Sequence, residues 1–480
     1  MSIVPCVRGL FLFALFLLPA VTGRSQRYLG IATSERNAIN SLYLNPANIA
    51  ACREKLSIGI FSMSVAVDNN LGHIPKIPNL GETVNGNNNI FTRSKRSSFS
   101  MIVPAAVVRG PGIMASLSDK ISIALTTGIR GFNQFHNFDP SLYKTLALPQ
   151  SVADSNYAVK MHNFNWTAHM WSEVGLTLAG VVRKGEKYSL NLGGTIRRLG
   201  GIGYLSMRGV NLDVKYKKGT DLFQAANSNI DFGTNVLNDS SAVFKDITPA
   251  GLLKTFFATP PGYGVSADIG FTLRYHIGEA DPSDYMESNQ THDIVFSMAV
   301  TDWGAITYNN STSAAAKISG QGTISGQGLD SNVNDAASLI AYAKKQGFGI
   351  DTHIDARRVH LPTALVASVD VQVYGRFYAN LLFVGNMANR NEFGNSYYDQ
   401  FTFTPRYDYH KMTISLPLTY GRLAHDFKMG IACRYKGFFI GSDDVLASIS
   451  KCQYGFGLYL GGYIPIFKKK YDPAGLHWGS

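Results

Sequence analysis

Apolar and polar residues alternate with period two over unusually long stretches of this chain. Between Tyr263 and Ile277 one face reads Tyr263, Val265, Ala267, Ile269, Phe271, Leu273, Tyr275 and Ile277. The other reads Gly264, Ser266, Asp268, Gly270, Thr272, Arg274 and His276. Successive strand side chains point to opposite faces, so the pattern predicts one extended strand between an apolar and a polar surrounding. The same alternation returns in 188–197, 292–302, 412–421, 427–436 and 454–464. Two architectures alternate in this way. A secreted β-sandwich turns its apolar faces inward, but its strands average about 5–6 residues. A membrane-spanning strand needs about 9–11, apolar outward and small or polar inward. The lengths here, and polar faces made of Gly, Ser, Thr and Ala with scattered charges, favour an all-β, transmembrane antiparallel β-barrel. About 14 strands are predicted within 56–467, an even number that returns both termini to the periplasm.

Connection lengths agree with a barrel, which has short turns at one rim and long loops at the other. Short turns are expected at Ser118–Lys120, Arg183–Glu186, Gly375–Arg376, His410–Lys411 and near Gly437. Long loops are expected over 68–97, 136–163, about 206–262 and 310–358, and a medium one over 278–291. In the last long loop Ile318–Gly322 (ISGQG) recurs as Ile324–Gly328, a flexible repeat. Asn332–Gln346 reads as a helix, capped by Asn334 or Asp335.

The first residues read as an export signal. Gly9–Ala20 is almost wholly apolar, Arg8 precedes it and small or polar residues follow, with cleavage expected after Gly23 or Ser25. No later apolar run reaches the ~20 residues of a membrane helix. Only 16% of residues are charged, against about 25% in soluble domains, which excludes a disordered chain or a coiled coil. The net charge is +11, falling to +9 once residues 1–25 remove two Arg and no acid. In an outer-membrane setting the basic clusters at strand ends meet lipid and lipopolysaccharide phosphates rather than nucleic acid. The inner-face Arg130, Arg197, Arg274 and Arg434 either bias the lumen toward anions or pair with Glu173, Asp268, Asp293 and Asp370, and the sequence leaves both open. These eight are the candidate lumen-lining residues. Cys52 and Cys452 both lie near strand starts; the odd count of mature cysteines favours no disulfide.

Residues 26–55 precede the first strand and are too apolar (Ile31, Ile39, Leu42, Leu44, Ile49) for a solvated leader. They hold the turn Asn45-Pro46-Ala47, either a plain turn or a contact made by a plug. Asn45–Ala50 (NPANIA), Val67–Asn70 (VDNN), Thr301–Gly304 (TDWG), Thr404–Arg406 (TPR) and Gly441–Asp444 (GSDD) follow in order. In these the chain resembles the long-chain fatty-acid transporter (FadL-like) superfamily. It is closer still to a domain-of-unknown-function family of outer-membrane barrels of Gram-negative bacteria. The resemblance implies a 14-stranded barrel with 26–55 as an internal hatch, and no established substrate. The expected organisation is signal 1–25, hatch 26–55, barrel 56–467 and periplasmic tail 468–480.

Catalytic signatures are missing: no Gly-x-Ser-x-Gly elbow, phosphate loop or His-Glu-x-x-His occurs. The chain is therefore expected not to be an enzyme and to need no cofactor or metal. Two functions fit: passive transport of a hydrophobic or amphipathic small molecule past the hatch, or a structural or secretion-accessory barrel that binds partner proteins at the cell surface. A gap in the wall favours the first; a sealed lumen with large ordered loops favours the second. Deleting the hatch is expected to raise ion conductance.

Overall fold

The structure, a computed structural model, describes residues 28–34, 37–50, 52–70, 98–142, 156–235, 259–276, 294–309, 314–333, 336–352, 356–409, 411–445 and 454–468. The expected signal and all but the first residue of the expected tail lie outside these, as do Asp293 and Cys452.

Among the described residues, twenty-one strands form one antiparallel sheet. They are β1 (Glu54–Asn69), β2 (Phe99–Arg109), β3 (Gly112–Ser116), β4 (Ile121–Phe138), β5 (Tyr157–Lys184), β6 (Tyr188–Lys217) and β7 (Leu222–Thr234). Next come β8 (Gly262–Tyr275), β9 (Ile294–Asn309), β10 (Ala314–Ser325), β11 (Gly349–Asp351), β12 (Ala356–His360), β13 (Ala364–Tyr374) and β14 (Phe377–Asn386). The chain ends with β15 (Gln400–Tyr409), β16 (Met412–Ser415), β17 (Leu418–Gly421), β18 (Asp426–Met429), β19 (Ile431–Tyr435), β20 (Phe438–Ser442) and β21 (Gly455–Phe467). Several are halves of one stave. Pro111, Pro362 and Pro417 stand between β2 and β3, β12 and β13, and β16 and β17, where a missing N–H interrupts the ladder. Counted as staves, the ring runs β1, β2/β3, β4, β5, β6, β8, β9, β12/β13, β14, β15, β16/β17, β18/β19, β20, β21. It closes where β21 pairs with β1 from Glu54↔Phe467 to Asp68↔Gly455. That makes 14, as the alternation predicts.

The faces sort by polarity. Val265 and Ile269 are exposed, while Ser266, Asp268, Thr272 and Arg274 on the opposite face are buried. Leu176, Leu192, Ile196, Trp303, Leu381, Phe427 and Phe438 continue an exposed apolar surface around the ring. Apolar atoms outside and polar groups inside invert a soluble sandwich and match a wall whose solvent is hydrocarbon. No described helix is long and apolar enough to cross a membrane.

The outer rim departs from the expected loops. β5 and β6 have 28 and 30 residues, far beyond the ~9–11 a tilted strand needs. β5 residues before Asn165 have no β4 partner and β6 residues after Gly201 have no β8 partner, so these ends extend beyond the ring. There β6 leaves β8 and pairs with β7 instead, from Leu205↔Thr234 to Lys217↔Leu222. β10 pairs with β7 and β11 with β10. Two helices, α1 (Gly326–Asn332) and α2 (Ala336–Lys345), follow β10. The stretches expected as loops over 206–262 and 310–358 thus contain strands. The first ISGQG copy lies in β10 and the second runs from its end into α1, so the repeat is not a flexible linker.

Candidate functional site

The N-terminal segment lies within the ring of strands. Tyr28, Leu29, Ile31, Leu42, Leu44 and Ile49 are almost fully buried. Its hydrogen bonds reach staves on every side. The Tyr28 hydroxyl donates to Ser62 of β1 at 2.9 Å, and Ser415 of β16 donates to the Gly30 carbonyl at 2.5 Å. Arg406 of β15 donates to the Thr33 carbonyl at 3.4 Å, and Arg274 of β8 to the Ala50 carbonyl at 3.2 Å. Partners so distributed around a closed wall can be met only from inside.

Asn45, Pro46 and Ala47 form a turn whose Asn45 side chain also reaches the wall. The Asn45 side-chain oxygen accepts from the Ala47 N–H at 2.9 Å, capping the short 3-10 turn Pro46–Ile49, in which Pro46 takes the first position and loses no needed donor. Its amide nitrogen donates to Ser297 Oγ at 2.7 Å and to the Phe271 and Met298 carbonyls at 2.8 and 3.2 Å, pinning the turn to β8 and β9. Two wall glycines make room for it. A Cβ at Gly193 would lie 2.5 Å from the Ala47 nitrogen, and one at Gly270 would lie 2.3 Å from Asn45 Oδ1.

Four of the eight sequence-predicted inner residues meet in one cluster. Arg130 forms a bidentate pair with Asp302 at 2.7 and 2.8 Å and reaches Glu173 at 3.4 Å. Arg197 pairs with Asp268 at 2.6 Å, and Asp268 accepts the Asp302 N–H at 2.7 Å. Arg109 stacks over the Tyr43 ring of the N-terminal segment, 3.7 Å from its centroid. Burial pushes the Tyr43 hydroxyl above its usual range, against the opposing pull of Arg109, so it enters the cluster neutral. Three guanidiniums thus stand with three carboxylates. For Arg130 and Arg197 pairing, not a free anion-attracting charge, is what the geometry shows. Tyr43, Val107, Arg109, Arg130, Glu173, Arg197, Asp302 and Tyr397 enclose a cavity of about 20 Å³, room for one water.

Of the other four predicted residues, Arg274, Asp370 and Arg434 lie apart. Asp370 forms a second cluster with Arg406 at 2.9 Å, and Arg406 also pairs with Asp408 at 3.0 Å. Arg274 holds the N-terminal segment, as above. Arg434 donates to Thr413 at 2.8 Å and to the Lys436 carbonyl at 2.7 Å. Asp293 falls outside the described residues. Sequence reasoning missed Asp302, Arg109 and Arg406 as site residues, although Asp302 and Arg406 lie in the TDWG and TPR motifs. Asp302 takes a left-handed backbone with φ of 59° at an irregularity in the β8–β9 ladder. The bend turns its carboxylate inward while Trp303 points out, 70% exposed. Among the described residues no three metal-ligating side chains gather.

One interruption of the wall beside this segment lies between β1 and β2/β3. β1 pairs with β3 up to Gly59↔Gly112 and with β2 from Ser62↔Arg109. Ile60 and Phe61 face Gly110-Pro111 between these two ladders. A cavity of about 20 Å³ lies there, lined by Ile39, Asn40 and Tyr43 of the segment and by Gly59, Phe61, Arg109, Gly110, Gly112 and Gly462 of the wall. On the outer face a groove of about 500 Å³ is lined by Ile60, Phe61, Phe438, Ile440, Leu460 and Gly462. Phe61 and Gly462 belong to both.

Solved structures with a similar outline include the CymD monoaromatic hydrocarbon channel, at 10% identity and TM-score 0.41, covering 93% of this chain and 98% of that one. The Pseudomonas putida toluene transporter TodX is similar at 9% identity and TM-score 0.40, covering 89% and 94%. A Pseudomonas aeruginosa FadL homologue follows at 9% and 0.33, covering 93% and 99%. The fold assignment rests on the ring of strand pairs itself. No curated protein matches the chain. The model of a "Family of unknown function (DUF5723)" matches residues 46–443, from the Pro46 turn inside the barrel to Asp443 after β20, and the chain belongs to that family.

Proposed function

We propose that the protein is an outer-membrane channel for a hydrophobic or amphipathic small molecule, with residues 28–50 as a hatch inside the barrel. One observation carries the reading: an apolar groove on the lipid face over β1, β19, β20 and β21 shares Phe61 and Gly462 with a small cavity against Ile39 and Tyr43 on the inner side of the wall. A molecule dissolved in the bilayer meets the apolar side chains of that groove at Phe61 and Gly462, against the inner cavity. On the inside it meets the N-terminal segment rather than open water. Movement of that segment widens a one-water cavity into a path. The toluene and hydrocarbon channels named above suggest a small aromatic and a fatty acid as first probes.

The ordered sheet β5–β6–β7–β10 beyond the rim favours a second reading, a barrel that docks partner proteins at the surface. One experiment separates them. Gly59→Leu places a side chain toward Ile39, since a Cβ at Gly59 already comes within 3.0 Å of it. Under the channel reading, uptake of toluene or a fluorescent fatty acid by cells carrying the variant falls, while heat-modifiable migration stays normal. Unchanged uptake, with the chain wholly deleted or intact, removes the channel reading and leaves partner docking.

A further inference from the structure

We infer that the barrel is closed by two gates, and that the connection between β14 and β15, residues 387–399, is the second. The proposal rests on reading residues 28–50 as the first. The connection lies on the outer side, since β14 runs outward from the tight turn at Gly375-Arg376. It does not stand up from the rim. Its feet are tied to the wall, where the Asn386 N–H donates to Asp399 at 2.9 Å and the Met387 N–H to the Thr363 carbonyl at 3.0 Å. From there it crosses the lumen to β4 and β5. In the ring of 14 staves, β4 stands opposite β15.

The far attachment is made by buried polar groups. Gln134 of β4 clasps Ser396 twice, accepting its N–H at 2.7 Å and donating to its hydroxyl at 2.9 Å. Asn165 of β5 donates to the Glu392 carbonyl at 2.7 Å and the Arg390 carbonyl at 3.2 Å, and Asn395 donates to the Thr167 carbonyl at 3.2 Å. His136 meets the Tyr398 hydroxyl at 2.9 Å. Asn395 and Ser396 are 1% and 3% exposed. A solvated surface loop leaves such groups to water. Here they recur in register with side chains on the opposite wall, as a closure requires.

The two gates meet at one place. Tyr397 reaches down to Arg130 at 3.4 Å and packs edge-on against Phe132. Tyr43 approaches the same cluster from the hatch, and only the cavity of about 20 Å³ separates the two tyrosines. The Arg130–Asp302 pair therefore forms the floor of one gate and the ceiling of the other. Withdrawing the hatch alone leaves the connection across the lumen. Hatch deletion alone is then no longer expected to open the pore.

The test measures ion conductance in planar bilayers, which does not depend on any hydrophobic cargo. Four proteins are compared: the intact chain, one lacking residues 28–50, one with 388–398 replaced by two glycines, and the double variant. Ion flow follows the narrowest dry constriction. Each single variant should therefore stay within about twofold of the intact protein, and the double should conduct at least about tenfold more. A hatch deletion that conducts like the double overturns the proposal, as does a loop replacement that does so, or a double that stays closed. Loss of fatty-acid uptake in Gly59→Leu bears on the channel reading alone and leaves this result standing. If the loop replacement fails to fold, the pair Gln134→Ala and Asn165→Ala replaces it. Ser396→Cys is then labelled with a membrane-impermeant maleimide in a background with Cys52, Cys433 and Cys452 changed to Ser. Labelling should be at least about tenfold faster with the pair than without it, because local opening exposes the thiol. Equal rates refute a releasable gate.

Discussion

Asn45→Ala tests how the segment inside the barrel is held. The substitution removes the oxygen that caps Ala47 and the amide whose two hydrogens are shared among Ser297, the Phe271 carbonyl and the Met298 carbonyl. Loss of a helix cap costs about 0.5–2 kcal/mol. Each net hydrogen bond is worth about 0.5–1.5 kcal/mol, and two hydrogens make two bonds. The anchoring should thus weaken by about 1.5–5 kcal/mol, which shifts the opening equilibrium about 10- to 4,000-fold at 1.4 kcal/mol per decade. Hydrogen exchange read by mass spectrometry in detergent follows such local opening. Amides of residues 40–50 should exchange faster by that factor, while those of β6 and β8 stay protected. Asn45→Asp is the control: it keeps the oxygen for Ala47, loses both donors and buries a charge in a site 1% exposed. It should be at least as damaging. If Asn45→Ala changes exchange by less than about threefold, packing alone holds the segment and the reasoning fails.

Three further outcomes are expected. Gly193→Ala puts a methyl into the Pro46-Ala47 backbone, so it should loosen residues 40–50 by exchange while leaving barrel assembly intact; an unchanged segment would mean the turn has room to shift. Asp302→Asn strips Arg130 of its bidentate partner and should cost about 3–5 kcal/mol in urea unfolding. Pairing it with Arg130→Met should cost less than the two single changes added together, and simple additivity would show that the two residues act separately. Ile269→Arg, on the lipid-facing side at 67% exposure, should cost about 2–4 kcal/mol of folding into lipid vesicles. Tolerance equal to that of Ile269→Leu would contradict the face assignment.

The sequence by itself determined the wall. A strand in hydrocarbon must alternate apolar and small or polar residues, so Tyr263–Tyr275 shows its span and its faces without a partner in view. Asn45-Pro46-Ala47 was legible for a similar local reason: Pro sets φ, and Asn caps two residues on. What that turn touches was not legible, because Ser297 lies 252 residues away. The pairing of Arg130 with Asp302 spans 172 residues, and that of Gln134 with Ser396 spans 262. Alternation placed Arg130, Arg197 and Asp268 on the inner face but assigned none of their partners. Asp302 escaped the list because a left-handed bend, not strand period, turns its carboxylate inward. The connection 387–399 was also invisible as a closure: its Asn, Ser and Gly suit a solvated loop equally well. Only ring closure sets β4 opposite β15. Buried polar groups must find partners, and across a closed lumen they find them on that far wall.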